Sequence, residues 1–517
     1  MKETNVLKFN SVSFCLKNCD LSGAFSLVLY GDLMWFEWLP NEALFPKYID
    51  QNGFRIAIQL CEIKEIIRFD ESLKIVSLFM TLKNNEKLPA FRFMGSPHAS
   101  ISHLLEFLTY KKIVECTNES KTQYSIKVSN TPIRLKKDLI SPKDVLSILK
   151  HDEIVNSLLN HECNTYPISI EECHSFFGAN GNIIYSFDSI KETIFHRGLI
   201  DQTRRILWPY LLGFYSPNDT QETKKFKFAK KFEQYMLIKK QIDSVLDSQL
   251  KVSTFFTAMK RTITHDVLRT DRNHPFFVDD SPNMTLLFNT LLAYGMFNRD
   301  TEYVQGMGDI MSPLIMLFIE KWIDNESVHL FEVGIVSKFE AESFIFWLFV
   351  GLMDLTHHNR MFTDLATHQN LISERSFAIA SHFHQPLSKW LQDQNLSDLT
   401  FLYRPILLLF KREFSIPNVY SIWDMFFSSA KPFSSPRFFM ASILIQLFPK
   451  LLLVSDGSMG GAMSVTDSTI STLDTDTLIR MSKSLYEKCD SSLIWAQETL
   501  PPPPGLKDYE PKFFKKA

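Results

Sequence analysis

The apolar pattern of this chain changes period part-way along, which limits it to folds that combine two kinds of unit. Through the first third, apolar residues come as short runs of β-branched, aromatic and leucine side chains at residues 25–29, 33–38, 55–60, 75–81 and 89–94. Breakers such as Gly31-Asp32, Asn52-Gly53 and Asn84-Asn85 separate the runs, as between strands. Ile101, Leu104, Leu105 and Leu108 then fall at helical spacing behind Ser96-Pro97, predicting a helix that plugs a small barrel or sandwich. From about Gly198 the period becomes 3.6, with segments at 202–212, 224–246, 255–269, 284–297, 343–355 and 399–414, and these predict an all-helical domain.

Between the two, residues 117–141 are polar and charged, and Ser141-Pro142 opens a short helix through Leu159. The expected organisation is a β domain over 1–115, a linker with a short helix over 116–165 and a helical domain over 166–455. A Ser/Thr/Gly-rich disordered loop over 456–474, a helix over 475–500 and a mobile tail over 501–517, opened by four prolines, complete it. At 517 residues the chain is long enough for two or three domains.

Composition excludes several function classes. With 55 basic against 58 acidic residues the net charge is −3, which leaves no electrostatic footprint for general nucleic-acid binding. The seven cysteines are dispersed, predicting a reducing compartment and no disulfide framework. His161, Cys163, Cys173 and His174 lack the paired spacing that holds a tetrahedral ion, so no metal is expected. Residues 344–352 are apolar but short, and Gln446, Pro449 and Lys450 interrupt 438–454, so both read as buried helices, not membrane spans. The opening Met-Lys-Glu-Thr-Asn carries no signal-peptide pattern, and a cytoplasmic, soluble protein is expected.

Three short stretches carry chemistry. The first is Arg197-Gly198 with Arg204 and Trp208-Pro209-Tyr210 beyond it, and the second is Ile263-Thr264-His265-Asp266-Val267-Leu268-Arg269-Thr270-Asp271-Arg272. On a helix Asp266 and Arg269 share a face and can pair. The third is Glu302-Tyr303-Val304-Gln305-Gly306-Met307-Gly308-Asp309. Each alone has an ordinary structural reading: a buried indole, a surface ion pair, a loop amide.

Taken in order, they resemble the TBC domain of Rab GTPase-activating proteins, whose motifs include Arg-Gly…Arg…Trp, Ile-x-x-Asp-x-x-Arg and Tyr-x-Gln-Gly-Met. The resemblance continues through Phe346-Trp347, Met353-Asp354, Phe410-Lys411-Arg412-Glu413-Phe414 and Ile422-Trp423-Asp424. Together with Met80-Thr81-Leu82-Lys83 and Leu88-Pro89-Ala90-Phe91-Arg92-Phe93, it is similar to a subfamily that joins a PH-like Rab-binding domain to a C-terminal TBC domain in endosomal traffic. The resemblance implies a dual-finger mechanism, with Arg269 stabilising charge on the transferred phosphoryl group and Gln305 placing the attacking water. It further implies that Asp266 aims Arg269, and that Tyr303, Gly306, Met307 and Arg272 support the fingers or meet the partner. Arg204, Trp208, Asp309 and Trp423 are structural.

The implied partner is a GTP-bound Rab-family GTPase, with trafficking adaptors and membrane association through partners also implied. No cofactor is expected, because GTP and Mg²⁺ belong to the partner. The competing expectation is a TBC scaffold that binds a Rab without useful catalysis; relatives of that kind usually lack one finger, and this chain has both.

Overall fold

The computed structural model describes residues 3–15, 20–30, 33–40, 56–95, 97–127, 142–159, 166–245, 254–299, 301–363, 365–454 and 457–489. The chain divides into two compact units, one of Met1–Glu153 with Phe448–Ser455, the other of Ile154–Leu447 with Asp456–Ala517.

The first unit is built on one antiparallel sheet. Its strands are β1 (Glu3–Cys15), β2 (Asp20–Tyr30), β3 (Leu33–Pro40), β4 (Ile56–Gln59), β5 (Ile63–Ser72), β6 (Ile75–Leu82), β7 (Phe91–Met94), β8 (Val114–Cys116) and β9 (Gln123–Ile126). They lie in the order β4-β3-β2-β1-β7-β6-β5-β9-β8. Alternation sends Phe14, Phe25, Phe36, Trp38, Phe91 and Phe93 into one aromatic-rich core. The Trp38 indole donates to the Val12 carbonyl at 3.1 Å, so the polar edge of this buried ring is satisfied. Helix His98–Tyr110 closes the same core with Ile101, Leu104, Leu105 and Leu108.

Two expectations change here. The helix is not the last element, because β8 and β9 follow it and extend the sheet beyond residue 115. Strands β1 and β5 fall outside the expected runs. In β5, Ile-Lys-Glu-Ile-Ile-Arg-Phe-Asp-Glu-Ser, charged residues interleave with the apolar ones, and Ile67 and Phe69 are exposed while Ile63 and Ile66 are buried, so no clean alternation marks the strand.

The second unit is helical. Its main elements are Asp201–Leu211, Gln221–Asp243, Thr254–Val267, Pro282–Phe297, Met307–Phe318, Lys338–Leu355, Ile416–Ser428 and Thr475–Lys488. Local signals set the starts. The Ser281 hydroxyl accepts from the Asn283 amide ahead of Pro282, and Ser337 forms a capping box with Glu340. A three-stranded meander interrupts the helices, β10 (Ile319–Trp322), β11 (Ser327–Leu330) and β12 (Gly334–Ser337). Phe344, Ile345, Phe346, Leu348, Phe349 and Leu352 are buried within the helix Lys338–Leu355. Among the described residues, no helix is long and apolar enough to cross a membrane.

Two sequence expectations fail in this unit. Residues 399–414 are not one helix. Instead 3₁₀ turn Thr400–Leu402 leads into the short helix Tyr403–Leu407, and Leu409 and Phe410 then take φ of 47° and 62°. Tertiary demands override the local periodicity there, since the Trp423 indole claims the Leu409 carbonyl at 3.0 Å. The stretch expected as a disordered loop instead holds the helix Met459–Thr469, capped by the Ser458 hydroxyl. Burial of Ala462, Val465, Thr466 and Thr469 at helical spacing outweighs its poor intrinsic propensity. The last helix ends at Lys488, and residues 490–517, with the proline-rich tail, lie outside the described residues. His161 and Cys163 also lie outside them, and no group able to hold a metal ion occurs among those that are described.

Candidate functional site

Arg269 and Gln305 meet at one place on the helical unit. Helix Thr254–Val267 ends just before Arg269, which sits in the turn that follows, its amide bonded to the Asp266 carbonyl. Gln305 stands in the loop ahead of the helix Met307–Phe318, whose N-cap is Gly306 at φ 104°. With its oxygen turned to the guanidinium, the Gln305 amide accepts from Arg269 Nη1 at 2.8 Å and also from Nη2. Both residues are solvent-exposed.

Asp266 is the anchor beneath them. Its carboxylate is fully buried, while the Arg269 side chain is 45% exposed. Oδ1 accepts from Arg269 Nε at 2.8 Å and Nη2 at 2.5 Å. Oδ2 accepts from the Tyr303 hydroxyl and from the Gly306 amide at 2.8 Å. One carboxylate therefore fixes the arginine on one side and the glutamine loop on the other. Burial, and then the neighbouring Asp266 charge, push the Tyr303 phenol far above its ordinary range, so it stays a proton donor to Asp266.

The remaining motif residues divide by position. A Cβ on Gly306 would lie 2.8 Å from Leu408 Cδ2, so glycine is required there for close packing as well as for its φ. Gly308, too, is set by packing, since a Cβ would sit 3.0 Å from Thr270 Oγ1. Met307 is fully buried and lies under the loop, out of reach of a partner. Arg272 is turned toward the following loop, with its guanidinium on the Phe277 carbonyl at 3.2 Å and paired with Asp279. Asp309, buried, receives Arg412 through Nε at 3.1 Å and Nη2 at 2.8 Å, and this bond raises the guanidinium's pKa.

Arg204 and Trp208 gather elsewhere, around Asp424, which had no role assigned from the motifs, and Trp423 packs against the Trp208 ring with centroids 6.2 Å apart. Asp424 is buried and accepts from Arg204 Nη2 at 2.8 Å, Trp208 Nε1 at 2.8 Å and the Leu199 amide at 3.0 Å. Burial pulls the Arg204 pKa down, and Asp424 and Asp201 more than restore it, while burial raises the Asp424 carboxyl against the lowering by Arg204. This cluster ties the helix Asp201–Leu211 to Ile416–Ser428 and touches neither Arg269 nor Gln305.

Sequence reasoning also passed over Asp271, Ser312, Leu408 and Lys411, which lie behind the site. Asp271 and Lys411 had the signal of membership in the matching runs, and Ser312 and Leu408 had none.

Residues 201–453 match the family model described as the Rab-GTPase-TBC domain. The chain is 26% identical over 323 residues to TBC1 domain family member 17 of Mus musculus, covering 62% of this chain and 46% of that protein. It is 30% identical over 260 residues to the Homo sapiens protein of the same name, covering 50% and 36%. To the GTPase-activating protein gyp7 of Schizosaccharomyces pombe it is 27% identical over 278 residues, covering 51% and 34%. The matched stretch is thus under half the length of each of these relatives. Residues 201–453, which carry both Arg269 and Gln305, form a Rab-GTPase-TBC domain.

Proposed function

We propose that this protein is a GTPase-activating protein that completes the active site of a GTP-loaded Rab-family GTPase with Arg269 and Gln305. The observation that carries the reading is the exposed guanidinium–amide pair held on one buried carboxylate. The relative named as a GTPase-activating protein lends support.

The chemistry suits these groups. Hydrolysis of a phosphoric anhydride is limited by charge developing on phosphoryl oxygens and by placement of the attacking water. A guanidinium is always charged and forks two donors onto such oxygens, which is the task of Arg269. An amide both accepts and donates, so Gln305 can take a hydrogen bond from water while donating toward phosphate. For this the Gln305 oxygen must exchange its bond to Arg269 for one to the water. The chain itself contributes no nucleotide site or metal in this scheme; GTP and Mg²⁺ belong to the partner. The β-rich unit serves as a PH-like recruitment module that brings the TBC domain to vesicle or endosomal membranes through protein partners.

Single-turnover GTP hydrolysis across a panel of Rab GTPases tests the reading, comparing wild type with Arg269→Ala and Gln305→Ala. Loss of an arginine finger is expected to cost about 10³- to 10⁵-fold in rate, or roughly 4–7 kcal/mol. An ordinary surface ion pair would be worth about 1 kcal/mol at most. Stimulation that survives Arg269→Ala refutes the mechanism, and binding of a GTP-locked Rab without stimulation by wild type points to the scaffold instead.

A further inference from the structure

Behind the two finger loops runs a third segment, residues 405–412, with an unusual backbone. Leu409 and Phe410 occupy the left-handed region in succession, at φ 47° and 62°. Bulky side chains rarely adopt that region, and such strain persists only where the surrounding structure demands it. The Phe410 amide bonds back to the Pro405 carbonyl at 2.7 Å and the Lys411 amide to the Leu408 carbonyl at 3.0 Å. The bend turns Leu408 against Gly306 and sends Lys411 inward, where its side chain is 4% exposed.

The Lys411 ammonium lies between the loops. It donates to Asp271 Oδ1, two residues beyond Arg269, and lies 3.5 Å from Asp309 Oδ1, four residues beyond Gln305. The second oxygen of Asp271 accepts from the Ser312 hydroxyl at 2.6 Å, which joins the same two elements again. An ammonium is costly to bury unless its partners are held in good geometry, so a buried lysine is a poor choice for filling space alone.

We propose that Lys411 is a positioning residue for both fingers, fixing the Arg269 turn and the Gln305 loop relative to each other through Asp271 and Asp309. The inference rests on the activity proposed above. Asp266 aims the Arg269 side chain and holds the Gln305 loop at the Gly306 amide, while Lys411 braces the same two segments from behind, through Asp271 and Asp309.

The test uses the full chain and the GTP-loaded Rab that wild type stimulates most. Single-turnover rates are measured over a range of activator concentrations, so that the maximal rate and the half-saturating concentration separate. Lys411→Met is expected to lower the maximal rate about 10- to 100-fold, the scale of a small misplacement of reacting groups. Half-saturation should move less than about 3-fold, because Lys411 is buried and cannot touch a partner. Lys411→Arg keeps a cation and should give a rate between the two. A folded Lys411→Met with a wild-type maximal rate overturns the inference, and so does a loss confined to half-saturation. If Lys411→Met does not fold, Lys411→Arg decides, since a wild-type maximal rate there equally overturns it. Failure of wild type to stimulate any GTPase would overturn the activity itself, and this inference with it.

Discussion

Asp266→Asn is the substitution that most directly separates anchoring from chemistry. The amide is nearly the same shape as the carboxylate, but it presents two N–H donors where one oxygen accepted. Two donors face each oxygen of Asp266: Arg269 Nε and Nη2 on Oδ1, Tyr303 and the Gly306 amide on Oδ2. The amide nitrogen must therefore oppose one pair or the other. Turning it to the half-exposed arginine is cheaper, because that guanidinium can trade its bonds to the buried carboxylate for water, a loss of about 1 kcal/mol. The buried side then keeps its bonds to a neutral acceptor in place of a charged one, weakening each by roughly 1 kcal/mol. The expected loss of stability is about 2–3 kcal/mol, read by urea or thermal unfolding. Arg269 remains present but unaimed, so the stimulated hydrolysis rate should fall about 10²-fold, short of the loss expected for removing the guanidinium. A variant that loses stability while keeping the full rate would refute the claim that Asp266 orients Arg269. One that loses neither would refute the geometry.

The other predictions concern the frame of the domain. Gly306→Ala places a Cβ 2.8 Å from Leu408 Cδ2 at a φ of 104°, and should cost about 1–3 kcal/mol in unfolding measurements; unchanged stability would contradict the close packing. Asp424→Ala leaves Arg204 buried without its main partner and should destabilise by about 3–5 kcal/mol, seen as a collapse in melting temperature or soluble yield. The His384 Nδ1 caps a helix by accepting from the Leu387 amide, and burial pulls its pKa down to about 4 from an ordinary 6.5. Because the folded value is depressed, this contribution is full above pH 6.5 and is lost as pH falls through 4. His384→Asn, a neutral cap, should narrow the stability gap between pH 7.5 and 4.5 by about 2–3 kcal/mol; an equal gap in both proteins would refute it.

How far the sequence could be read depended on whether a signal was local. Periodicity found the helices that bury one stripe, such as His98–Tyr110, and alternation found β2, β3 and β6, whose inward faces are aromatic or aliphatic. Strand β5 escaped because charges interrupt its apolar residues and two of those, Ile67 and Phe69, face solvent, and Met459–Thr469 escaped because serine, threonine and glycine read as loop until burial stabilises them. The site divided the same way. Asp266 and Arg269 lie one helical turn apart, so their pairing was written in the spacing. The bond between Asp266 and Gly306 spans 40 residues and that between Lys411 and Asp271 spans 140, and no local pattern encodes either. The run at 399–414 was misread for a related reason. Its leucines have helical periodicity, while the indole of Trp423, 14 residues from Leu409, helps to set its actual path.

The bond between Arg269 and Gln305 has a consequence for encounter with a partner. A free arginine side chain carries about 2 kcal/mol of rotamer entropy, which it would surrender when it docks. Here the guanidinium is already confined by a carboxylate below and an amide beside it, so most of that freedom is gone before any partner arrives. On the activity proposed above, Arg269 is therefore aimed before any encounter, and the bond that has to be exchanged on docking is the one between its guanidinium and the Gln305 amide. The ordering cost that a loose arginine would impose on association has been met within the fold, leaving more of the contact energy for holding the partner.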